Sequence, residues 1–371
     1  MNKMLVNGSN LHVGGGVQVG TSFIAELARM PKLPKDLVVW ASTEIDANLQ
    51  NMGCNLSSLP AYEVVNSYGI KLLGSSLAKR MQDFNTVFTI FGPLYAWRLN
   101  GLSITGFAQP WIIYPNTKIS PAESLGKRLV SRLKFALQSI FFGRSNQLIV
   151  ELDHVKEGLL NRGIGSQKTI HVVRNCVSSL YLDQNVWQEI AVYDDKADIK
   201  LGFVGRNYAH KNTGIFPALI DILLAKYGLK ASIYVTFTKE EWSACSASFQ
   251  SSVINVGPLS MAQCPTFYSR MDGVIFPSLL ECFSATPLEA MAMKKPLFAS
   301  DRPFNRDICL EHAHYFDPFS ASSAAQAIAQ VFMCGGPNPE ALRRAREHAI
   351  NFSSPKERAE KYLNLLLLAA K

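Results

Sequence analysis

The sequence predicts two doubly wound α/β domains, and three features carry that prediction. Short apolar strand candidates alternate with amphipathic helices along nearly the whole chain, the pattern of right-handed βαβ units around a parallel sheet. The first strand runs through a glycine-rich turn into a helix, as at the start of a doubly wound domain. The alternation lapses once, between Val177 and Asp198, and then restarts, so 371 residues divide into two domains of ordinary size.

Taken in order, Lys3–Val6 reads as a strand, Asn7–Gly16 as a loop and Val17–Met30 as an amphipathic helix closed by Pro31. Apolar strand candidates follow at Leu37–Trp40, Thr86–Phe91 and Gln147–Val150, with helical periodicity over Gly69–Met81. In the lapse, Leu182-Asp183-Gln184-Asn185 and Tyr193-Asp194-Asp195-Lys196 carry turn-type and acidic residues without a period. The expected divisions are therefore 1–178, a hinge over 179–198, and 199–353. The second domain offers strands at Ile199–Val204, Ala231–Val235, Val253–Val256, Gly273–Phe276 and Pro296–Ala299, and helices over Asn212–Tyr227 and Ser320–Phe332. Pro355–Lys371 reads as a last helix, with Ser354 as its N-cap and Glu357 in the capping-box position.

Composition narrows the function. Hydrophobic residues at 48% against 18% charged exclude a disordered chain. A net charge of +8 favours an anionic partner, whether nucleotide, nucleic acid or acidic membrane. The seven cysteines are scattered without a C-x-x-C pair, which argues against a disulfide framework or a thiolate zinc site and for a reducing cytoplasm. The N-terminus is not apolar for long enough to be a signal peptide, and no stretch approaches the ~20 apolar residues of a membrane span, so any membrane contact is expected to be peripheral.

The chemistry concentrates after the strand candidate Gly273–Phe276, in the run from Pro277 to Met293. A loop at a strand's carboxyl end is where open α/β sheets bind ligands. Thr286-Pro287-Leu288-Glu289 fits a helix start, with Thr286 as N-cap, and the small residues Ser284 and Ala285 precede it. The unpaired N–H groups and positive dipole end of such a helix suit a phosphate. Glu281 and Glu289 flank this anion site and would repel a phosphate themselves. Their natural ligands are hydroxyls on either side of a diphosphate, which is the shape of a nucleotide-sugar. Taken singly, Glu289 also reads as half of a capping box and Glu281 as a solvated loop carboxylate.

A second cluster, Val204-Gly205-Arg206-Asn207-Tyr208-Ala209-His210-Lys211, places two cations on a loop after another strand of the same sheet. Arg206 can grip a phosphate bidentately and Lys211 can supply a point charge, although basic loop residues are commonly just solvated. A third cluster, Gly14-Gly15-Gly16, fits a tight turn or, equally, a backbone that approaches a diphosphate. It matches neither a dinucleotide fingerprint nor a P-loop.

On these residues the chain resembles the retaining glycosyltransferases of family 4. Glu281 and Glu289 stand at the family's E-x7-E spacing within a version of its P-S-x-x-E-x-F-x-x-x-P-x-E-A-M-A signature. Gly14–Gly16, Val204-Gly205-Arg206 with Lys211-Asn212, and Ile170-His171-Val172-Val173-Arg174-Asn175 extend the likeness over most of the chain. The resemblance implies the GT-B fold, two Rossmann-like domains facing a central cleft, with the last helix, 354–371, crossing back to the first domain. It implies a hexosyl-type transferase in which Glu281 contacts donor-sugar hydroxyls, Glu289 the ribose, and Arg206 with Lys211 the diphosphate. Gly16, Gly205 and the backbone of Phe283, Ser284, Ala285 and Thr286 would complete the donor site, with the base beside Val256 and Leu259. Cys282 and Ser284 depart from the family's usual glycines, and Gln109 stands where many members place an acceptor-side histidine. Gln109 can position a hydroxyl but cannot act as a base.

The implied reaction retains anomeric configuration, with Arg206 and Lys211 assisting departure of the diphosphate; no cofactor beyond the nucleoside-diphosphate sugar is expected, and the lack of a D-x-D sequence agrees with the metal independence that the resemblance implies. Residues 123–146, with Lys127, Arg128, Arg132, Lys134 and Arg144 beside a stripe of Leu125, Leu129, Leu133, Leu137, Ile140 and Phe141, read either as a membrane-surface helix or as a helix packed on the core. The leading expectation is a cytoplasmic enzyme, peripheral on the inner face of the membrane, acting on a lipid-linked saccharide in surface polysaccharide synthesis. The alternatives are a soluble acceptor, or a non-catalytic nucleotide-binding partner of another transferase. The basic residues do not form a recognised nucleic-acid module, so nucleic acid is not expected as a partner.

Overall fold

Buried apolar runs too short for helices build both sheets of the computed structural model: Leu37–Ala41 reads LVVWA and Gly273–Phe276 reads GVIF. The structure describes residues 2–97, 99–115, 125–191 and 196–369. These form two units, one made of Met1–Pro115, Glu123–Asn175 and Ser354–Lys371, the other chiefly of Cys176–Ser353.

The first unit holds seven strands: β1 (Met4–Gly8), β2 (Leu37–Ala41), β3 (Tyr62–Val64), β4 (Thr86–Thr89), β5 (Leu102–Gly106), β6 (Gln147–Val150) and β7 (Ile170–Val172). They are all parallel, in the order β3-β2-β1-β4-β5-β6-β7. The second unit holds six parallel strands: β8 (Ile199–Phe203), β9 (Ala231–Val235), β10 (Ile254–Asn255), β11 (Gly273–Phe276), β12 (Leu297–Ser300) and β13 (His314–Phe316). Their order is β10-β9-β8-β11-β12-β13. Two doubly wound parallel sheets are what the sequence predicted. In each sheet the winding reverses once, between β1 and β4 and between β8 and β11, and loops leaving strands at such a switch point form a ligand crevice.

The core of the first unit is completed by the final helix, Pro355–Ala369, whose Tyr362 packs edge-on against Phe23 and Phe88 at ring separations of 5.1 and 5.2 Å. Ser354 caps it through Oγ, which accepts the Glu357 N–H at 3.1 Å. Arg358, almost wholly buried, donates to Asn175 and, at 2.9 Å, to Ser22. Asn175 donates in turn to the buried Glu151 carboxylate at 2.8 Å. In the second unit Phe203, Phe216, Phe237 and Phe249 form the corresponding aromatic centre. Gly106, at the end of β5, lies so close to β4's exit that a Cβ there would sit 1.8 Å from the Ile90 carbonyl oxygen.

Several elements differ from the sequence expectation. The first helix is Gly15–Arg29, two residues earlier than predicted at its start, because Gly14 takes the left-handed conformation (φ 68°) and turns the chain there. Gly69–Met81 is not one helix. A 3-10 turn (Gly69–Leu72) ends before Gly74 at φ 73°, and Ser75 then caps a separate short helix, Ser76–Arg80, accepting the Ala78 N–H at 3.2 Å. The segment 179–191, read as a hinge, packs into the second unit. Gln188 N–H donates to the Ala262 carbonyl at 2.8 Å, and Arg270 holds Glu189 at 2.6 Å and the Ile190 carbonyl at 3.0 Å. Residues 192–195 of that expected hinge lie outside the described residues.

Candidate functional site

The loops leaving β8 and β11 at the second switch point are tied to each other before any ligand is considered. Asn212 adopts a left-handed backbone (φ 56°), a conformation asparagine tolerates better than most residues. Its side-chain amide donates to the Pro318 carbonyl at 2.7 Å and to that of Pro277 at 3.4 Å. Leu279 N–H donates to the His210 carbonyl at 2.7 Å.

This tying brings Lys211 and Glu281 together. The Lys211 ammonium lies 2.6 Å from Glu281 Oε1, and both side chains are mostly buried, at 15% and 11% exposed. Ser278 Oγ donates to the same oxygen at 2.6 Å. His210 stands 3.9 Å away, and burial holds it below the ordinary imidazole range against the pull of Glu281. The charges at the heart of the site are thus one ammonium and one carboxylate in contact, with a neutral imidazole beside them.

Arg206, on the same loop, is held elsewhere. Its Nε donates to Glu241 Oε1 at 2.6 Å, and Glu241 is itself the capping-box residue of the helix Lys239–Ser243. A guanidinium bound through Nε keeps its two terminal amino groups for a second acceptor. Gly205 N–H donates to Thr236 Oγ1 at 3.1 Å, fixing where this loop leaves β8.

The helix after β11 is Ala285–Ala292, with Ser284 at its N-cap and no side-chain cap. The expected Thr286 cap and Glu289 capping box are therefore corrected: both residues lie inside the helix. Pro287 is tolerated there because first-turn N–H groups have no acceptor in a preceding turn. For the same reason the N–H groups of Ala285 and Thr286 remain as donors at the end of this helix, with Ser284 and Thr286 nearly buried and Phe283 partly exposed. Glu289 turns to the protein interior. Tyr268 O–H donates to its Oε2 at 2.9 Å, and the Tyr181 hydroxyl faces it as well. Burial pushes the Glu289 carboxyl above the ordinary carboxylate range, and the two phenols pull it down.

Val256 and Leu259 follow β10, two strands from β8, and both are partly exposed. The turn between them is set by Gly257 (φ 81°), whose N–H donates to Asn255 Oδ1 at 3.2 Å. Gly16 and Gln109 belong to the first unit. Gly16 lies in the first turn of the helix Gly15–Arg29, and Gln109 caps the helix Pro110–Ile113 through its carbonyl, which accepts the Ile112 N–H at 3.1 Å. Near that unit's switch point His12 bridges Glu44 (2.8 Å) and the Ser67 carbonyl (3.0 Å) and stacks on Tyr68, a constellation the sequence reading did not find. A groove of about 510 Å³ beside β7 and the final helix, lined by Lys156, His171 and Lys361 among others, touches the segment Ile170–Asn175 quoted from sequence but none of the candidate donor or acceptor residues.

The basic segment 123–146 is the helix Leu125–Gly143, of which residues 123–124 and the side chains of Leu125, Lys127 and Arg128 lie outside the described residues. Three residues of its expected stripe are not core: Leu129, Leu133 and Ile140 are 59%, 63% and 56% exposed. Leu137 is partly buried, and Phe141, the last residue of that stripe, faces inward with Phe142. Arg132 and Lys134 are exposed beside the stripe. Among the described residues no helix is long and apolar enough to cross a membrane.

Residues 195–352 match the family model described as glycosyl transferases group 1. Solved structures share the whole architecture at low identity. A glycosyltransferase from Rickettsia africae ESF-5 superposes with a TM-score of 0.67 at 17% identity, covering 100% of this chain and 99% of its own. Anabaena Alr3699/HepE, in complex with UDP, gives 0.65 at 13%, with 99% and 100% covered. WaaG, a glycosyltransferase involved in lipopolysaccharide biosynthesis, gives 0.63 at 12%, with 98% and 99% covered. No curated protein matches the chain by sequence.

Proposed function

With residues 195–352 forming a glycosyl transferases group 1 domain and the protein accordingly a glycosyltransferase, we propose that it transfers a sugar, with retention at the anomeric carbon, from a nucleoside-diphosphate sugar to a lipid-linked saccharide. The observation that carries this reading is the Lys211–Glu281 pair at the β8/β11 switch point, where a cation for a diphosphate and an acceptor for sugar hydroxyls stand in contact. Structures of Alr3699/HepE hold UDP, UDP with glucose, and UDP-glucose, which supports a uridine nucleotide as the first donor to test.

In this mechanism the donor's arrival redistributes the pair: Lys211 turns its ammonium to the β-phosphate, and Glu281 takes the sugar hydroxyls. Arg206 uses its terminal amino groups on the diphosphate while Nε stays on Glu241. Ala285 and Thr286 add backbone N–H groups. The bond from anomeric carbon to phosphate oxygen breaks as negative charge develops on that oxygen, which fixed cations stabilise without reorganising. The acceptor oxygen bonds the anomeric carbon on the face the phosphate leaves, and its proton passes to the departing phosphate oxygen. The chain's own cations carry the charge a metal would otherwise carry.

Acceptor and pathway rest on the exposed stripe of Leu129, Leu133 and Ile140 beside Arg132 and Lys134, a surface suited to anionic lipid, as on the inner face of a bacterial membrane. WaaG's role in lipopolysaccharide biosynthesis supports a surface polysaccharide such as O-antigen, capsule or lipopolysaccharide as the product. The test is thermal stabilisation by UDP, GDP, ADP and CMP, followed by release of UDP from UDP-sugars with a lipid-linked acceptor. A ligand at a hundredfold excess over its dissociation constant stabilises by ~2.7 kcal/mol. A shift with one nucleoside diphosphate that Arg206→Ala abolishes would support the site; turnover of no nucleotide-sugar would leave a binding protein only.

A further inference from the structure

Glu289 is served by two tyrosines that approach from different parts of the second unit. Tyr268, fully buried on the helix Cys264–Ser269, donates its hydroxyl to Glu289 Oε2 at 2.9 Å. Tyr181, also buried, comes from the 3-10 turn Ser179–Leu182, in the segment that the sequence reads as a hinge. Its ring lies 6.0 Å from that of Tyr268, and its hydroxyl faces the same carboxylate. Trp187 Nε1 donates to the Leu180 carbonyl at 2.9 Å and, with the Arg270 contacts to residues 189–191, fixes this segment to the unit.

A carboxylate has two oxygens and about four lone-pair sites. Tyr268 occupies one of them and Tyr181 stands beside the carboxylate, which leaves acceptor sites for two neighbouring hydroxyls, the number a ribose presents. Both phenols are pushed up by burial and stay protonated, so towards the carboxylate they act as donors. Cys264 and the hydroxyl of Thr286 are the other groups that face this cluster. Among the described residues no cation joins this cluster, so the phenols favour the charged form of a largely enclosed acid.

The geometry points to Tyr268 and Tyr181 as positioning residues of Glu289, orienting its carboxylate so that it accepts both hydroxyls of the nucleotide's ribose. This rests on the reading of Glu289 as the ribose contact in the proposed transferase. One consequence is that the interdomain segment forms part of the nucleotide site.

The experiment measures UDP affinity by calorimetry from pH 5 to 8 for the full chain, Tyr268→Phe, Tyr181→Phe and Glu289→Gln. Wild-type affinity should fall on acidification as Glu289 takes up a proton. Each Tyr→Phe change removes a donor to the charged form and should move the midpoint of that fall up by about one pH unit, raising the donor KM more than it lowers kcat. Glu289→Gln should bind about tenfold more weakly and lose this pH dependence. A uniform loss of affinity with an unmoved midpoint, the signature of a merely structural tyrosine, would overturn the assignment in either variant that folds. If Glu289→Gln binds UDP as the wild type does, the ribose contact itself fails, and the assignment of the tyrosines fails with it.

Discussion

Replacing Lys211 by methionine removes one charge from a contact at 2.6 Å and leaves Glu281 in a largely buried place. Breaking a fully buried ion pair from one side costs ~3–5 kcal/mol. Here Ser278 Oγ still donates to the orphaned carboxylate at 2.6 Å, and neither side chain is wholly dry, so the expected loss is about 2–3 kcal/mol. A unit of this size loses roughly 2–4 °C per kcal/mol, so its melting transition should fall by about 5–10 °C. Glu281→Gln strands the ammonium instead and should cost a similar amount. The double variant strands neither charge, so its loss should be smaller than the sum of the singles by about 1–2 kcal/mol. Calorimetry on the four proteins at pH 7.5 reads both quantities. A Lys211→Met protein that melts within a degree of the wild type, or a double variant equal to the sum, would show that the contact is a solvated pair and not the fixed centre of the site.

Three further outcomes follow from other parts of the molecule. Burial pushes Glu151 up to about 7 against the pull of Arg358, so the acid holds its proton more tightly folded than unfolded. Its contribution to stability is complete below the ordinary carboxylate range and is lost as pH rises through about 7; melting of Glu151→Gln should therefore change less between pH 5 and 8 than melting of the wild type. Gly106→Ala should yield insoluble or strongly destabilised protein, because the new methyl meets the Ile90 carbonyl and not a movable side chain; normal melting would disprove that close approach. Leu129→Asp with Leu133→Asp should reduce sedimentation with phosphatidylglycerol vesicles while leaving UDP binding intact, and unchanged sedimentation would remove the helix from the membrane reading.

What the sequence disclosed depended on how local each feature is. β9, β11 and β6 are legible to the residue because each ends in three consecutive buried-type apolar residues, Ile233–Val235, Val274–Phe276 and Leu148–Val150. β3 and β13 are three-residue strands on sheet edges, and β5 interleaves Ser103 and Thr105 with its apolar residues, so none stands out from a loop. The spacing of Glu281 and Glu289 is visible in the chain, but their partners are not. Lys211 lies 70 residues from Glu281, and only the Asn212 and Leu279 bonds between the two loops bring them into contact. The capping-box reading of Thr286 and Glu289 failed because a tertiary partner, Tyr268, claims the carboxylate that the local motif would have turned back to the backbone. Tyr181 and Tyr268 carry no local signature, and only their convergence on Glu289 marks them.

The helix Pro355–Ala369 has a consequence for how the protein is made. Tyr362, Ala359 and Leu366 are core residues of a unit whose first strand is Met4–Gly8, yet the whole of the second unit is encoded between them. On the ribosome the first unit emerges with Phe23 and Phe88 lacking the aromatic ring that covers them, and it waits through the synthesis of Cys176–Ser353 before that ring arrives. The second unit, whose described residues all lie within Cys176–Ser353, has no such delay. A nascent chain stalled before residue 355 should thus expose apolar surface on the first unit, open to chaperones and proteases, while the second has already closed.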